Sequence, residues 1–166
     1  MYNPIIVGVD PGIVHTGVVS LEFDEEDKSL DIWHAAIDGP NALATGLAIE
    51  AWHPGVPFHL MHIFIEWYRP RSGFSVDERM VQANGEFRTV LQGNLLRNTG
   101  VKKVVAPELM KLLNVWSFPT STHHQDVRSA ARIALLGMML DPVLNRLLYS
   151  FVTDTIDGRD WNVRVI

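Results

Sequence analysis

The sequence predicts an α/β fold: a five-stranded mixed sheet, three antiparallel strands then two parallel ones, flanked by helices. Three observations predict it. Three strand-like runs joined by tight turns open the chain. Helical and strand patterns then alternate, in the order βββαβαβα as far as the first helix after strand five. Two of the apolar strand runs end in a carboxylate at the mouth of a loop, Asp10 and Glu66, as expected where parallel strands present a ligand-binding edge.

Residues 4–10 form the first strand. Its alternation puts Ile6, Gly8 and Asp10 on one face and Ile5, Val7 and Val9 on the other. Gly8 leaves room for a ligand or another backbone to come close. Pro11-Gly12 turns the chain and Thr16-Gly17 lies in the second strand, residues 14–23; the third covers 30–37. Asn41 to Trp52 reads as a helix between Gly39-Pro40 and Pro54-Gly55. Residues 60–66 form strand four, ending in Glu66. Val76, Met80, Phe87, Val90, Leu91 and Leu95 trace a long amphipathic helix from Val76 to Asn98, with Gly100 as its stop. Val101 to Val105 reads as strand five, and Pro107 opens a short helix to Leu113. Thr120, Ser121 or Thr122 caps a helix to about Leu140, and Asp141-Pro142 restarts one to about Phe151. In this layout Asp10 and Glu66 end neighbouring parallel strands on one sheet edge.

The 166 residues suit a single domain, 1–166, with the role of 141–166 left open. The absence of cysteine excludes disulfides and thiolate metal sites. No apolar run spans a bilayer, and the N-terminal one is too short for a signal peptide, so a cytoplasmic location is expected. Net charge is −5, but residues 22–31 hold six acids and one Lys, and the rest of the chain is neutral. That acidic run reads as a solvated hairpin tip, and a nucleic-acid partner stays compatible with the remainder.

A carboxylate at a strand end is costly to desolvate unless a cation, a donor or a substrate compensates it. Asp10 and Glu66 share this position, and Asp126 opens the helix that follows His123-His124-Gln125. His123 and Asp126 stand i, i+3 and project from one side of a first helical turn; His124 is the alternative partner. Asp and Glu oxygens suit Mg²⁺ or Mn²⁺, so one shared cation site is expected.

These residues resemble a family. Gly8-Val9-Asp10-Pro11-Gly12 with Thr16-Gly17, Glu66 at a strand end, the long helix around Gln82, Ala83 and Gly85, the segment Ala106 to Lys111, and His123 and Asp126 before Ala130, Ala131 and Ala134 occur in the order found in RuvC-type Holliday junction resolvases. Those belong to the ribonuclease-H-like superfamily, and the short acidic form looks closest to phage-encoded members, which would place it in a host cytoplasm. Many members carry Asp where His123 stands.

The resemblance implies a ribonuclease-H-like fold and a homodimer that makes paired symmetric nicks in a four-way DNA junction. It implies two Mg²⁺ (or Mn²⁺) ions about 4 Å apart across one phosphate. Asp10 would bridge them, Glu66 and Asp126 would flank them, and His123 would be the fourth ligand or orient water. Lys111 would meet developing phosphate charge. Arg69, Arg71, Arg79 and Arg128 would contact phosphates, and Tyr68 and Phe74 would stack on exposed bases. The apolar stripe of residues 76–95 is the candidate dimer face, unless it faces the core. The same site would serve a looser branched- or flap-DNA nuclease, and a catalytically silent DNA-binding relative is the rival of another class.

Overall fold

The computed structural model describes residues 3–69, 73, 75–98 and 100–166. Its elements are β1 (Ile5–Asp10), β2 (His15–Asp24), β3 (Ser29–Asp38), α1 (Ala42–Trp52), β4 (His62–Trp67), α2 (Glu78–Leu91), β5 (Asn94–Arg97), α3 (Val101–Val104), α4 (Pro107–Leu112), α5 (His124–Leu140), α6 (Pro142–Ile156) and β6 (Asn162–Val165). The strands form one mixed sheet in the order β5-β4-β1-β2-β3-β6. β1, β2 and β3 are antiparallel neighbours, and β4, β5 and β6 each add a parallel pairing.

Alternation along β1 divides the core in two. Ile5, Val7 and Val9 pack with Val18, Ile49, Phe87 and Leu91 under α1 and α2. Ile6 faces the other way, into the larger cluster built on α5 and α6 with Phe23, Phe118 and Phe151. α5 lies close on that face because its sheet-side residues are small: Ala130, Ala131 and Ala134 are buried. The sheet reciprocates with glycine. A Cβ on Gly8 would overlap the Ala130 carbonyl and come within 2.8 Å of the Ala134 nitrogen. The space that Gly8 clears is therefore filled by helix backbone.

Four sequence expectations shift. The helix expected over 76–98 ends at Leu91, where Gln92 turns left-handed with φ 54°. Gly93 follows, packed so tightly that a Cβ would stand 2.9 Å from the side chains of Ile63 and Ile65. The chain then enters β5, pairing Leu95 with Ile65 and Leu96 with Glu66. Leu95 continued the helical spacing by coincidence; sheet pairing takes it instead. Second, the strand expected over 101–105 is the helical turn α3, and Gly100, expected to stop the helix before it, is its N-cap. Third, the last helix reaches Ile156. Fourth, the tail supplies a sixth strand, β6, beside β3.

Asp154 anchors that tail. Its carboxylate accepts from Lys28 Nζ at 2.9 Å, Trp161 Nε1 at 3.2 Å and Arg159 Nη1 at 3.4 Å. Arg164 forks onto Asp31 at 2.6 and 2.7 Å. The acidic run is the β2–β3 hairpin, where Asp24 accepts from the Glu26 and Asp27 amides.

Candidate active site

β1 and β4 run parallel with Val9 opposite Ile65, so Asp10 and Glu66 leave the sheet side by side. The third carboxylate arrives from the opposite layer. Asp126 lies in the first turn of α5, and its backbone rests on Gly17, which pairs with Asp10 across β1 and β2.

The electrostatics follow from this crowding. Burial pushes the Asp10 carboxyl up to about 9; its hydrogen bond to the Glu66 carboxyl and the charges of Glu66 and Asp126 push in the same direction. The Ser129 hydroxyl donates to Asp10 and pulls the other way. Two carboxyls in contact share a proton when no cation separates them.

Asparagines hold the end of β4. Asn98 donates to Glu66 Oε1. Asn84, buried on α2, donates to the Glu66 carbonyl at 3.0 Å and accepts from the Tyr68 amide at 2.7 Å. Sequence reasoning missed Asn84, Asn98 and Ser129, since nothing local marks an amide or a hydroxyl as a partner of a distant acid.

The donor set is all oxygen and short of positive charge, which suits a hard divalent cation. Among the described residues no three Asp, Glu or His side chains converge on a single point at ligand distance. Glu66 commits one oxygen to Asn98, and Asp126 contributes to Asp10 through its charge. By residue type alone the carboxylates would suit Mg²⁺ or Mn²⁺, Asp10 and Glu66 being the pair in closest contact.

His123 precedes α5, with its ring stacked on His15 at 3.5 Å between centroids. His124 is exposed. Lys111 Nζ lies 5.6 Å from the Trp116 ring centre. Tyr68 and Arg69 line a cavity of about 260 Å³ with Glu66, Trp67, Met80 and Asn98. The Arg69 guanidinium lies over the Trp67 ring at 4.5 Å, with Arg97 at 5.3 Å. Arg79 is turned back onto Asp77, the cap of its own helix, at 3.3 Å. Arg128 donates to the Trp116 carbonyl at 2.6 Å. Arg71 and Phe74 lie outside the described residues. Of the stripe proposed as a dimer face, Phe87 and Leu91 are buried in the core, and Val76 is half exposed.

No protein-family model matches the chain, and no curated protein matches it. Solved structures do. The RuvC of Thermus thermophilus in complex with a Holliday junction substrate aligns at 12% identity over 90% of this chain and 96% of its own, with a TM-score of 0.56. A second Thermus thermophilus RuvC structure aligns at 15% identity, with a TM-score of 0.50 and the same shares of both chains. The yeast mitochondrial Holliday junction resolvase aligns at 13% identity over 92% of this chain and 85% of its own, with a TM-score of 0.52. This chain has a ribonuclease-H-like fold. At such identities the likeness is one of fold, shared with Holliday junction resolvases, and the chemistry must be argued from the chain's own residues.

Proposed function

We propose that this protein is a metal-dependent endonuclease that hydrolyses phosphodiesters in branched DNA, with a four-way junction as substrate and paired symmetric nicks as product. One observation carries the reading: the Asp10 carboxyl is buried against Glu66, in reach of the charge on Asp126, at the open ends of β1 and β4. The fold shared with resolvases supports it, as does the origin of the three acids in three separate elements.

Asp10, Glu66 and Asp126 would hold two Mg²⁺ or Mn²⁺ ions, with His123 as a further ligand or the group that orients water. When bound, such ions supply Lewis acidity and an activated water. Ser129 and Asn98 orient the carboxylates of Asp10 and Glu66. Lys111 and Arg128 add positive charge for the strand. Arg69, with Arg71 and Arg79, would meet phosphates on the β4 side, where Tyr68 and Phe74 would offer rings to unpaired bases.

A junction has approximate two-fold symmetry, so two nicks call for two active sites and a C₂ dimer. The exposed Leu43 and Leu47 of α1 and Val81 of α2, beside a groove of about 630 Å³ between the two helices, are the apolar surface we assign to it.

The test is nicking of a synthetic four-way junction, a flap and a linear duplex with Mg²⁺, by the wild type and by Asp10→Asn. Paired nicks on the junction, lost in the variant, are expected. Equal cutting of flap and junction would make it a general branched-DNA nuclease, and DNA binding without any cutting would make it a silent relative. Gel filtration with junction bound reads the dimer; a complex holding one 18.7 kDa subunit would remove it.

A further inference from the structure

Ser129, which acts on the Asp10 carboxyl, also lines a separate cavity of about 290 Å³, together with Lys102 of α3 and Gln125, Arg128 and Arg132 of α5. Its wall carries three cations and no carboxylate. Among the described residues, none of the three cations forms an ion pair, whereas Arg79, Arg159 and Arg164 all do. Nor are the arginines free to swing away. The Arg128 guanidinium lies 4.2 Å from the Trp116 ring centre and Arg132 lies 5.5 Å from it. The Arg132 Nε is buried and has no hydrogen-bond partner. Two guanidiniums on one indole repel each other, so the fold keeps an uncompensated positive field beside its acidic centre.

The geometry points to a phosphate subsite: Lys102, Arg128, Arg132 and Gln125 hold a backbone phosphate of the bound DNA strand, next to the one presented to Asp10. This deepens the nuclease reading and rests on it. Guanidinium forks match phosphate oxygens, and Lys102 adds a point charge from a second element. Ser129 connects the two sites, because it acts on the Asp10 carboxyl and also lines the cavity. A phosphate seated here therefore sets the register of the strand against the acidic pair. Trp116 is occupied by cations, so the pocket offers charge but no free ring for a base. It reads backbone and not sequence.

The experiment measures binding of a labelled four-way junction to the full chain in EDTA across a range of salt, beside nicking in Mg²⁺. Lys102→Gln and Arg132→Gln are each expected to lower the slope of log affinity against log salt by about one. Both should weaken two junctions of unrelated sequence equally. Arg132→Lys should restore the slope, and Arg146→Gln, an exposed cation on α6, should bind like the wild type. If Arg132→Gln does not fold, Lys102→Gln decides, because Lys102 is exposed. Unchanged slopes in a protein that still binds and nicks DNA would overturn the subsite and leave the nuclease standing. A wild type that neither binds nor nicks any DNA would overturn both. Inorganic phosphate displacing the junction at comparable concentration would overturn the assignment to a DNA strand and make this a small-anion site.

Discussion

Gly17 lies directly under the first turn of α5: a Cβ there would overlap the Asp126 carbonyl and stand 2.9 Å from the Val127 nitrogen. The third carboxylate owes its place to a missing side chain on β2. Gly17→Ala should push that turn off the sheet, costing about 1–3 kcal/mol as overpacking does. At about 2–4 °C per kcal/mol the melting temperature falls modestly. Nicking should fall far more, since Asp126 moves with the turn. A variant that loses stability but keeps full activity would separate Asp126 from the chemistry.

Asp10 makes metal-free stability depend on pH. In the fold its carboxyl keeps a proton up to about 9, against an ordinary 3.8 in the unfolded chain. Between those values the folded state binds the extra proton, so this group's contribution is lost as pH rises through the window. Asp10→Asn should melt higher than the wild type in EDTA at neutral and mildly alkaline pH, with the gap closing toward pH 3.8. Mg²⁺ should raise the melting temperature of the wild type and leave the variant unmoved. Identical melting curves for the two proteins across this range would show that the carboxyl is not crowded.

Asn98 holds Glu66 from outside the sheet. Groups that orient a metal-binding carboxylate typically matter about 10–100-fold in metal affinity or activity. Asn98→Ala should therefore shift the Mg²⁺ titration of nicking to higher concentration while leaving the fold intact, because Asn98 is exposed. An unaltered titration would take Asn98 out of the site.

His53 caps α1 and is buried, with Nε2 2.7 Å from the Ser20 hydroxyl and Nδ1 3.5 Å from Glu22. Burial holds it below the ordinary 6.5. As pH falls below that value the unfolded chain gains a proton that the fold refuses, so stability is lost on acidification, opposite in sign to Asp10. His53→Gln should flatten this acid limb relative to the wild type in thermal melts. An equally steep limb in the variant would show that His53 takes up its proton freely.

Asp154 joins the β2–β3 hairpin to the tail through Lys28, Arg159 and Trp161, and these partners hold its carboxyl below the usual range. That contribution is present above the ordinary carboxylate range and lost as pH falls through the depressed value. Asp154→Ala should lower the melting temperature and speed amide exchange in β6 before the rest of the sheet. Uniform exchange across all strands would show that the tail is held some other way.

Much of the fold was legible because its signals are local. Period-two alternation and the Pro11-Gly12 turn mark β1 and β2, and the Gly-Pro and Pro-Gly pairs on either side mark α1 to within a residue, Asn41 being its cap. The adjacency of Asp10 and Glu66 followed from two apolar strands ending alike. Where α2 stops was illegible, because Leu95 fits a helical stripe and a parallel strand equally well. Only contact with Ile65 and the tight seat of Gly93 separate the two. β6 escaped notice because four residues with two of them polar or charged carry no strand signal until β3 offers its edge.

The amino-acid order by itself determined the α/β class, the three opening strands and the strand-end acids, since turn chemistry and side-chain periodicity act between residues a few positions apart. Tertiary structure alone decided that Asn98 and Ser129 would act on the acids, and that Lys102, Arg128 and Arg132 would share a cavity. Those relations join groups far apart in the chain, and their energies exist only once packing has excluded water and brought the charges together.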